Sequence, residues 1–237
     1  MVPNLAVPAA LIGDPTRAAI LMALADGRAQ PASALAYAAN VSPQAASNHL
    51  AKLAGGGLLA VETQGRHRYY RLAGPEVGAA LEALASLAPA VRSLAEPRTP
   101  EGRRLRFARS CYGHLAGRLA VAMTAAMERQ GLLETARGDG ADARSYRVSA
   151  AGQAWFAALG IAVDGPRRLP ARRCLDWTER RHHLAGPLGS RLFARLVELG
   201  WIARAGNGRA VRLTAAGAAA LAARLGLEAE ALVPDAR

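Results

Sequence analysis

Cysteine is almost absent from this 237-residue chain, which holds only Cys111 and Cys174. Two thiols are too few for a disulfide scaffold and suit a reducing, cytoplasmic setting. Lysine is scarcer still, since 29 of the 30 basic residues are arginine and only Lys52 is not. Aromatic residues make up 5% of the chain. No apolar run reaches the roughly 18 residues that a membrane span needs. The start, Met1-Val-Pro-Asn-Leu5, lacks the charged, apolar and small-residue zones of a signal peptide. These shortages exclude disulfide-rich and membrane-spanning classes. The 51% hydrophobic and 20% charged content excludes collagen-like and disordered ones, leaving room for one large or two small domains.

What the chain has in excess is positive charge. Its net charge is +12, of which residues 1–95 carry +2 and residues 96–237 carry +10. Such an excess suits a polyanionic partner, although arginine and alanine richness also follows from genome composition. Between the halves, Glu96-Pro-Arg-Thr-Pro-Glu-Gly-Arg-Arg103 holds two prolines and almost nothing apolar. It reads as a linker or a kink between helices. The expected domains are therefore 1–98 and 104–237.

In the first half, Asp14-Pro15 opens a helix with a capping carboxylate and a proline at its first position. A short helix from about Pro31 to Ala39 follows, with Leu35 pointing inward. After the Asn40-Val41-Ser42-Pro43 turn, Ser42 caps a third helix. Its apolar stripe is Ala46, Leu50 and Leu53. Its other face presents Gln44, Ser47, Asn48, His49 and Lys52, which with Ser42 at the helix start are short polar and amide groups that can reach base edges and phosphates in a major groove. His49 could equally cap or pack. Beyond Gly55-Gly-Gly57, two strand-like runs joined at Gln64-Gly65 read as a hairpin whose tip carries Arg66, His67 and Arg68. Tyr69 and Tyr70 alternate on that strand, one toward the core and one toward solvent. Helix, turn, polar helix and basic hairpin together make a winged helix-turn-helix.

Three segments, Leu11-Ile-Gly-Asp-Pro-Thr-Arg17, Val41-Ser-Pro-Gln-Ala-Ala-Ser-Asn-His-Leu50 and Gly65-Arg-His-Arg-Tyr-Tyr-Arg-Leu72, resemble the ArsR/SmtB family of bacterial repressors. The resemblance covers about residues 8–90. It implies a double-stranded DNA operator, a homodimer joined by the N-terminal helix and a helix at 75–95, and release by an inducer. By family position, Gln44, Ser47, Asn48, His49 and Lys52 fall on the recognition helix, with Arg66 and Arg68 on the wing. No cofactor is implied for DNA binding. Two metal sites familiar in that family are missing. The helix that would supply thiolates reads Ala32-Ser-Ala-Leu-Ala-Tyr-Ala-Ala-Asn40, without cysteine. The dimer helix keeps Glu76 and Glu82 but has no histidine. Any sensor is then expected elsewhere.

The second half repeats itself. His114-Leu-Ala-Gly117 recurs as His183-Leu-Ala-Gly186, and Arg147-Val-Ser-Ala-Ala-Gly152 as Arg212-Leu-Thr-Ala-Ala-Gly217. Each copy, about 108–163 and 174–228, reads as helix, glycine break, strand, turn, strand and capped helix. The fold class expected is mainly α with small β-wings (α+β): an N-terminal winged helix-turn-helix plus a C-terminal sensor domain of two degenerate winged-helix-like repeats. The half also resembles extended ArsR-type regulators with a Cys-Tyr-x-His-Leu-Ala-Gly segment, here Cys111-Tyr-Gly-His-Leu-Ala-Gly117.

Chemically capable groups gather near the repeat starts. Cys111 and His114 are expected three apart on one helical face, and Cys174 with His182-His183 falls at a broadly equivalent place. Simple packing is the commonest role of such residues. Two sharper readings stand beside it. One is a composite soft-metal site of Cys111, His114, Cys174 and His183. The other is a thiol sensor of redox state or electrophiles, with Arg109, Arg172 and Arg173 lowering a thiol pKa. Trp177, with Trp155 and Phe156, could line a pocket for an apolar small-molecule inducer. A thiol enzyme is the remote alternative, since no phosphate loop, nucleophile elbow or complete catalytic constellation is present.

Overall fold

A computed structural model describes residues 3–65, 67–87, 100–111, 113–135, 145–163, 169–205 and 208–233. The chain divides into two compact units, Met1–Ala85 and Ser86–Arg237.

The first unit opens with α1 (Ala6–Ile12) and α2 (Pro15–Ala23). Asp14 caps α2 by accepting from the Arg17 amide at 2.9 Å. Next come β1 (Gln30–Pro31), α3 (Ala32–Ala38) and α4 (Pro43–Gly55). Asn40 makes the sharp turn between α3 and α4 with a φ of 52°, a conformation asparagine tolerates. Strands β2 (Leu59–Gln64) and β3 (His67–Leu72) pair antiparallel with Gln64 opposite His67. The hairpin turn therefore lies one residue later than Gln64-Gly65, and His67 and Arg68 belong to strand β3. β1 adds to the other side of β3. Helix α5 (Pro75–Leu87) crosses the boundary between the units. Leu21, Leu24, Leu35, Leu50 and Leu53 are fully buried together, with Tyr70 beside them. Tyr69 is half-buried rather than exposed, because it pairs with Pro31 of β1.

The second unit begins with α6 (Pro100–Phe107), so Arg103 and Arg104 lie in a helix. Pro100 to Arg103 of the expected linker thus belong to this helix, and residues 96–99 lie outside the described residues. Two similar series follow. The first is β4 (Arg109–Cys111), β5 (His114–Ala116), α7 (Arg118–Arg129), β6 (Leu133–Thr135), β7 (Ser145–Val148) and α8 (Ala150–Ala158). The second is β8 (Ala171–Leu175), β9 (His182–Ala185), α9 (Gly186–Glu198), β10 (Ile202–Arg204), β11 (Val211–Leu213) and α10 (Ala215–Leu225). Each is hairpin, helix, hairpin, helix. The last helices are capped alike, Ser149 Oγ accepting from Gly152 N and Thr214 Oγ1 from Gly217 N, both at 3.0 Å. A glycine is needed there. An added Cβ would meet the Leu132 carbonyl oxygen at 2.1 Å in one copy and the Trp201 carbonyl oxygen at 2.1 Å in the other.

The two series interlock instead of standing side by side. β7 of the first pairs with β8 of the second, Ser145 opposite Arg172, completing a four-stranded sheet in the order β6-β7-β8-β9. Reciprocally, Ala210 just before β11 bridges to Arg109 of β4. The alignment of the repeats makes these two pairings equivalent. Helices cross over as well: Thr124 Oγ1 of α7 accepts from the Leu184 amide of β9 at 3.0 Å. The unit thus has an approximate internal two-fold axis, and one continuous core runs through both series.

Candidate functional site

Helix α4 is amphipathic as its spacing predicts. Ala46, Leu50 and Leu53 are fully buried, whereas Gln44, Ser47, Asn48 and Lys52 are exposed. Ser42 is occupied as the cap, its Oγ accepting from the Ala45 amide at 3.2 Å. Ser47 Oγ donates to the Pro43 carbonyl at 2.9 Å, so its hydroxyl is already partly committed to the helix. His49 turns toward the start of α2, its Nδ1 3.7 Å from Asp14 Oδ1, and is half-buried. Arg68 is exposed on β3 and shares with Ser47, Ala51 and Val61 a groove of about 560 Å³ between α4 and the wing. Helix and wing therefore offer polar groups on the same side. Arg66 lies outside the described residues.

The second site is in the C-terminal unit. Cys111 and His114 do not lie on a helix: they end β4 and begin β5, directly opposite each other across the hairpin turn at Gly113. A helix cannot form there because residues 109–111 are taken up as a strand, paired with β5 and bridged to the segment before β11. Cys174 and His183 face each other in the same way across β8 and β9. His182, one residue earlier, points to the opposite side, where Arg173 lies 3.2 Å from its Nδ1. The internal axis brings the two Cys–His pairs together. His114 Nε2 and His183 Nε2 are 3.0 Å apart, and one nitrogen or sulfur atom from each of the four residues lies within 4.8 Å of all the others.

Behind this cluster is a charged pair that sequence reasoning passed over. Asp176 and Arg109 are 0% and 2% exposed at their side chains, joined by a 3.0 Å contact from Arg109 Nη2 to Asp176 Oδ2. Oδ2 also accepts from Gly117 N at 2.7 Å, and Oδ1 accepts from Thr178 N, Thr178 Oγ1 and Glu179 N. Burial alone would raise this carboxyl, but Arg109, Thr178, His183 and Gly117 hold it well below the usual carboxylate range. The available signal was the Asp-x-Thr spacing of a local side-chain turn within an arginine-rich segment. Asp176 Oδ2 also sits 3.7 Å from His183 Nδ1.

Of the three arginines that the thiol-sensor reading names, two have other partners in this structure. Arg109 serves Asp176 and stacks 5.1 Å from the Trp177 ring centre. Arg173 lies over Tyr146. The neighbouring Cys174 and burial push the Cys111 thiol up, against the pull of the two histidines. Trp177 stands outside the core cluster that contains Phe156 and the flanking Trp155.

A family model described as a helix-turn-helix domain matches residues 12–62. Over 220 residues the chain is 43% identical to the HTH-type transcriptional regulator YdfF of Bacillus subtilis (strain 168), covering 92% of this chain and 95% of that protein. Among solved structures, the homodimeric winged helix-turn-helix DNA-binding domain of Mb0332 from Mycobacterium bovis is 28% identical. That likeness covers 35% of this chain and 76% of the other, with a TM-score of 0.33. The cadmium sensor CmtR from Mycobacterium tuberculosis is 36% identical, covering 41% of this chain and 99% of the other, with a TM-score of 0.32. With a relative matched along nearly its whole length, the chain belongs to the HTH-type transcriptional regulators.

Proposed function

We propose that the protein is a cytoplasmic dimeric repressor whose paired α4 helices enter successive major grooves of an imperfect palindrome. The observation that carries this is the division of α4 into a fully buried leucine stripe and an exposed face of Gln44, Asn48 and Lys52. Arg68 on the wing supplies backbone contact beside it. Dimerisation is supported by apolar side chains left in solvent on the two helices named by the family resemblance. Leu5 at the start of α1 and Leu87 at the end of α5 are 75% and 81% exposed. The hairpin–helix series of the C-terminal unit are read as two degenerate winged helices that carry the inducer site rather than a second DNA contact. The raised pKa of the buried Cys111 thiol supports a regulator over a thiol enzyme.

The test starts from a duplex selected out of a random pool by the purified protein. Asn48→Ala is expected to lose discrimination between that duplex and a scrambled one by roughly 5- to 150-fold, the worth of a good base contact. Its binding to scrambled DNA should stay unchanged. Arg68→Ala is expected to weaken both alike and reduce the salt slope by about one. Equal loss on both duplexes for Asn48→Ala contradicts base reading by α4.

A further inference from the structure

We infer that Cys111, His114, Cys174 and His183 form a four-ligand site for one zinc-class divalent ion, which clasps the two hairpins together on the internal axis of the C-terminal unit. This goes beyond the DNA-reading proposal and stands without it, since every ligand comes from β4, β5, β8 and β9.

The geometry is close to what the ion requires. Zinc bound tetrahedrally, with bonds of about 2.3 Å to sulfur and about 2.0 Å to nitrogen, sets its ligand atoms ~3.3–3.8 Å apart. Here all four lie within 4.8 Å of one another, and the two Nε2 atoms are 3.0 Å apart. Occupancy asks the two imidazole nitrogens, 3.0 Å apart, to separate by a few tenths of an ångström and the widest spacing in the cluster to shorten. Hairpin strands provide such movements through side-chain torsions alone.

Charge and chemistry agree with the geometry. Two thiolates and two neutral imidazoles are a soft-to-borderline donor set, which favours zinc-class ions over magnesium, calcium or manganese. A divalent ion with two thiolates is formally neutral, which suits a place where Cys111 and His183 are 7% and 1% exposed. Binding follows a simple balance: two thiols give up two protons as two metal–sulfur bonds form. Asp176 completes the arrangement. Its carboxylate oxygen lies 3.7 Å from His183 Nδ1, on the side of the ring away from the Nε2 that faces the other ligands. That each repeat supplies one cross-strand Cys–His pair explains why the cysteines fall where they do, which packing alone leaves unexplained.

The test uses the full-length protein stripped with chelator under reducing conditions and titrated with cobalt(II), a coloured substitute for zinc. The expected result is an intense tetrahedral spectrum with sulfur-to-metal charge transfer. It saturates at one ion per chain, releases two protons per ion and is bleached by one equivalent of zinc(II). Zinc should also raise the midpoint of thermal unfolding, since it binds the folded chain. Cys174→Ser, at a half-buried position, removes one of the two thiolates and is expected to lower the charge-transfer intensity markedly while retaining the far-ultraviolet dichroism of the parent. If it fails to fold, His114→Gln, which removes one ligand nitrogen and keeps both thiolates, is expected to retain charge transfer but to shift the ligand-field bands and weaken cobalt binding. The inference is overturned by absence of saturable binding in the reduced parent protein, by an octahedral spectrum, or by an unchanged spectrum in a folded variant. No DNA enters the measurement, so its failure leaves the reading of α4 untouched, and loss of operator discrimination leaves the metal site untouched.

Discussion

Asp176→Asn is expected to destabilise the C-terminal unit by about 3–5 kcal/mol, the cost of stranding a buried charge. The partner left behind is Arg109, whose guanidinium is 2% exposed and has no route to water. Asparagine keeps the shape but not the chemistry. Asp176 accepts hydrogen bonds on both oxygens, two donors on Oδ2 and three on Oδ1. An amide must present its NH2 group to one of these sets, placing donors against donors. Surface pairs such as Arg191 with Glu198 offer no such leverage, because water screens them. All three tryptophans, at 155, 177 and 201, belong to this unit. Tryptophan fluorescence during thermal unfolding therefore reports it directly, and a fall in midpoint of roughly 10 °C is expected. An unchanged midpoint would mean that the Asp176–Arg109 pair does not join the two repeats as described.

Leu50→Ala is expected to be the most damaging single change for DNA binding that touches no exposed residue. Leu50 is 0% exposed and packs with Ile20, Leu35 and Leu53, fixing which side of α4 faces outward. Truncation leaves a cavity worth about 2–5 kcal/mol. In a unit of this size that is a large share of the total stability. Hydrogen exchange over Pro43–Gly55 should accelerate, and discrimination between selected and scrambled DNA should collapse with it. Leu50→Met, which nearly conserves volume, should cost less than about 1.5 kcal/mol and keep binding. Parental exchange rates in Leu50→Ala would contradict the clamp.

Much of the first unit is legible in the residues because local and tertiary preferences agree there. Asp14-Pro15 and Ser42-Pro43 mark helix starts chemically, and the Ala46–Leu50–Leu53 spacing marks the buried face. The repeat in the second unit is legible too, through its capped Ser/Thr-Ala-Ala-Gly segments. What could not be read there is set by pairing at a distance. Cys111 and His114 have a spacing that suits a helix or a two-residue hairpin turn equally, and β4 is fixed by contacts with residues about 100 positions later. Likewise, nothing local links Asp176 to Arg109, 67 residues apart. The interlocking of two repeats about an axis converts four scattered side chains into one cluster, and periodicity within a segment carries no trace of that.

The central claim is that the exposed amide-bearing face of α4 reads base edges in the major groove. Dimethyl sulfate protection on the selected duplex tests it most directly, because guanine N7 faces the major groove and adenine N3 the minor. The account predicts N7 protection in two half-sites whose centres lie about one helical turn apart, lost in Asn48→Ala. Protection confined to adenine N3, or N7 protection that persists unaltered in Asn48→Ala, would contradict it.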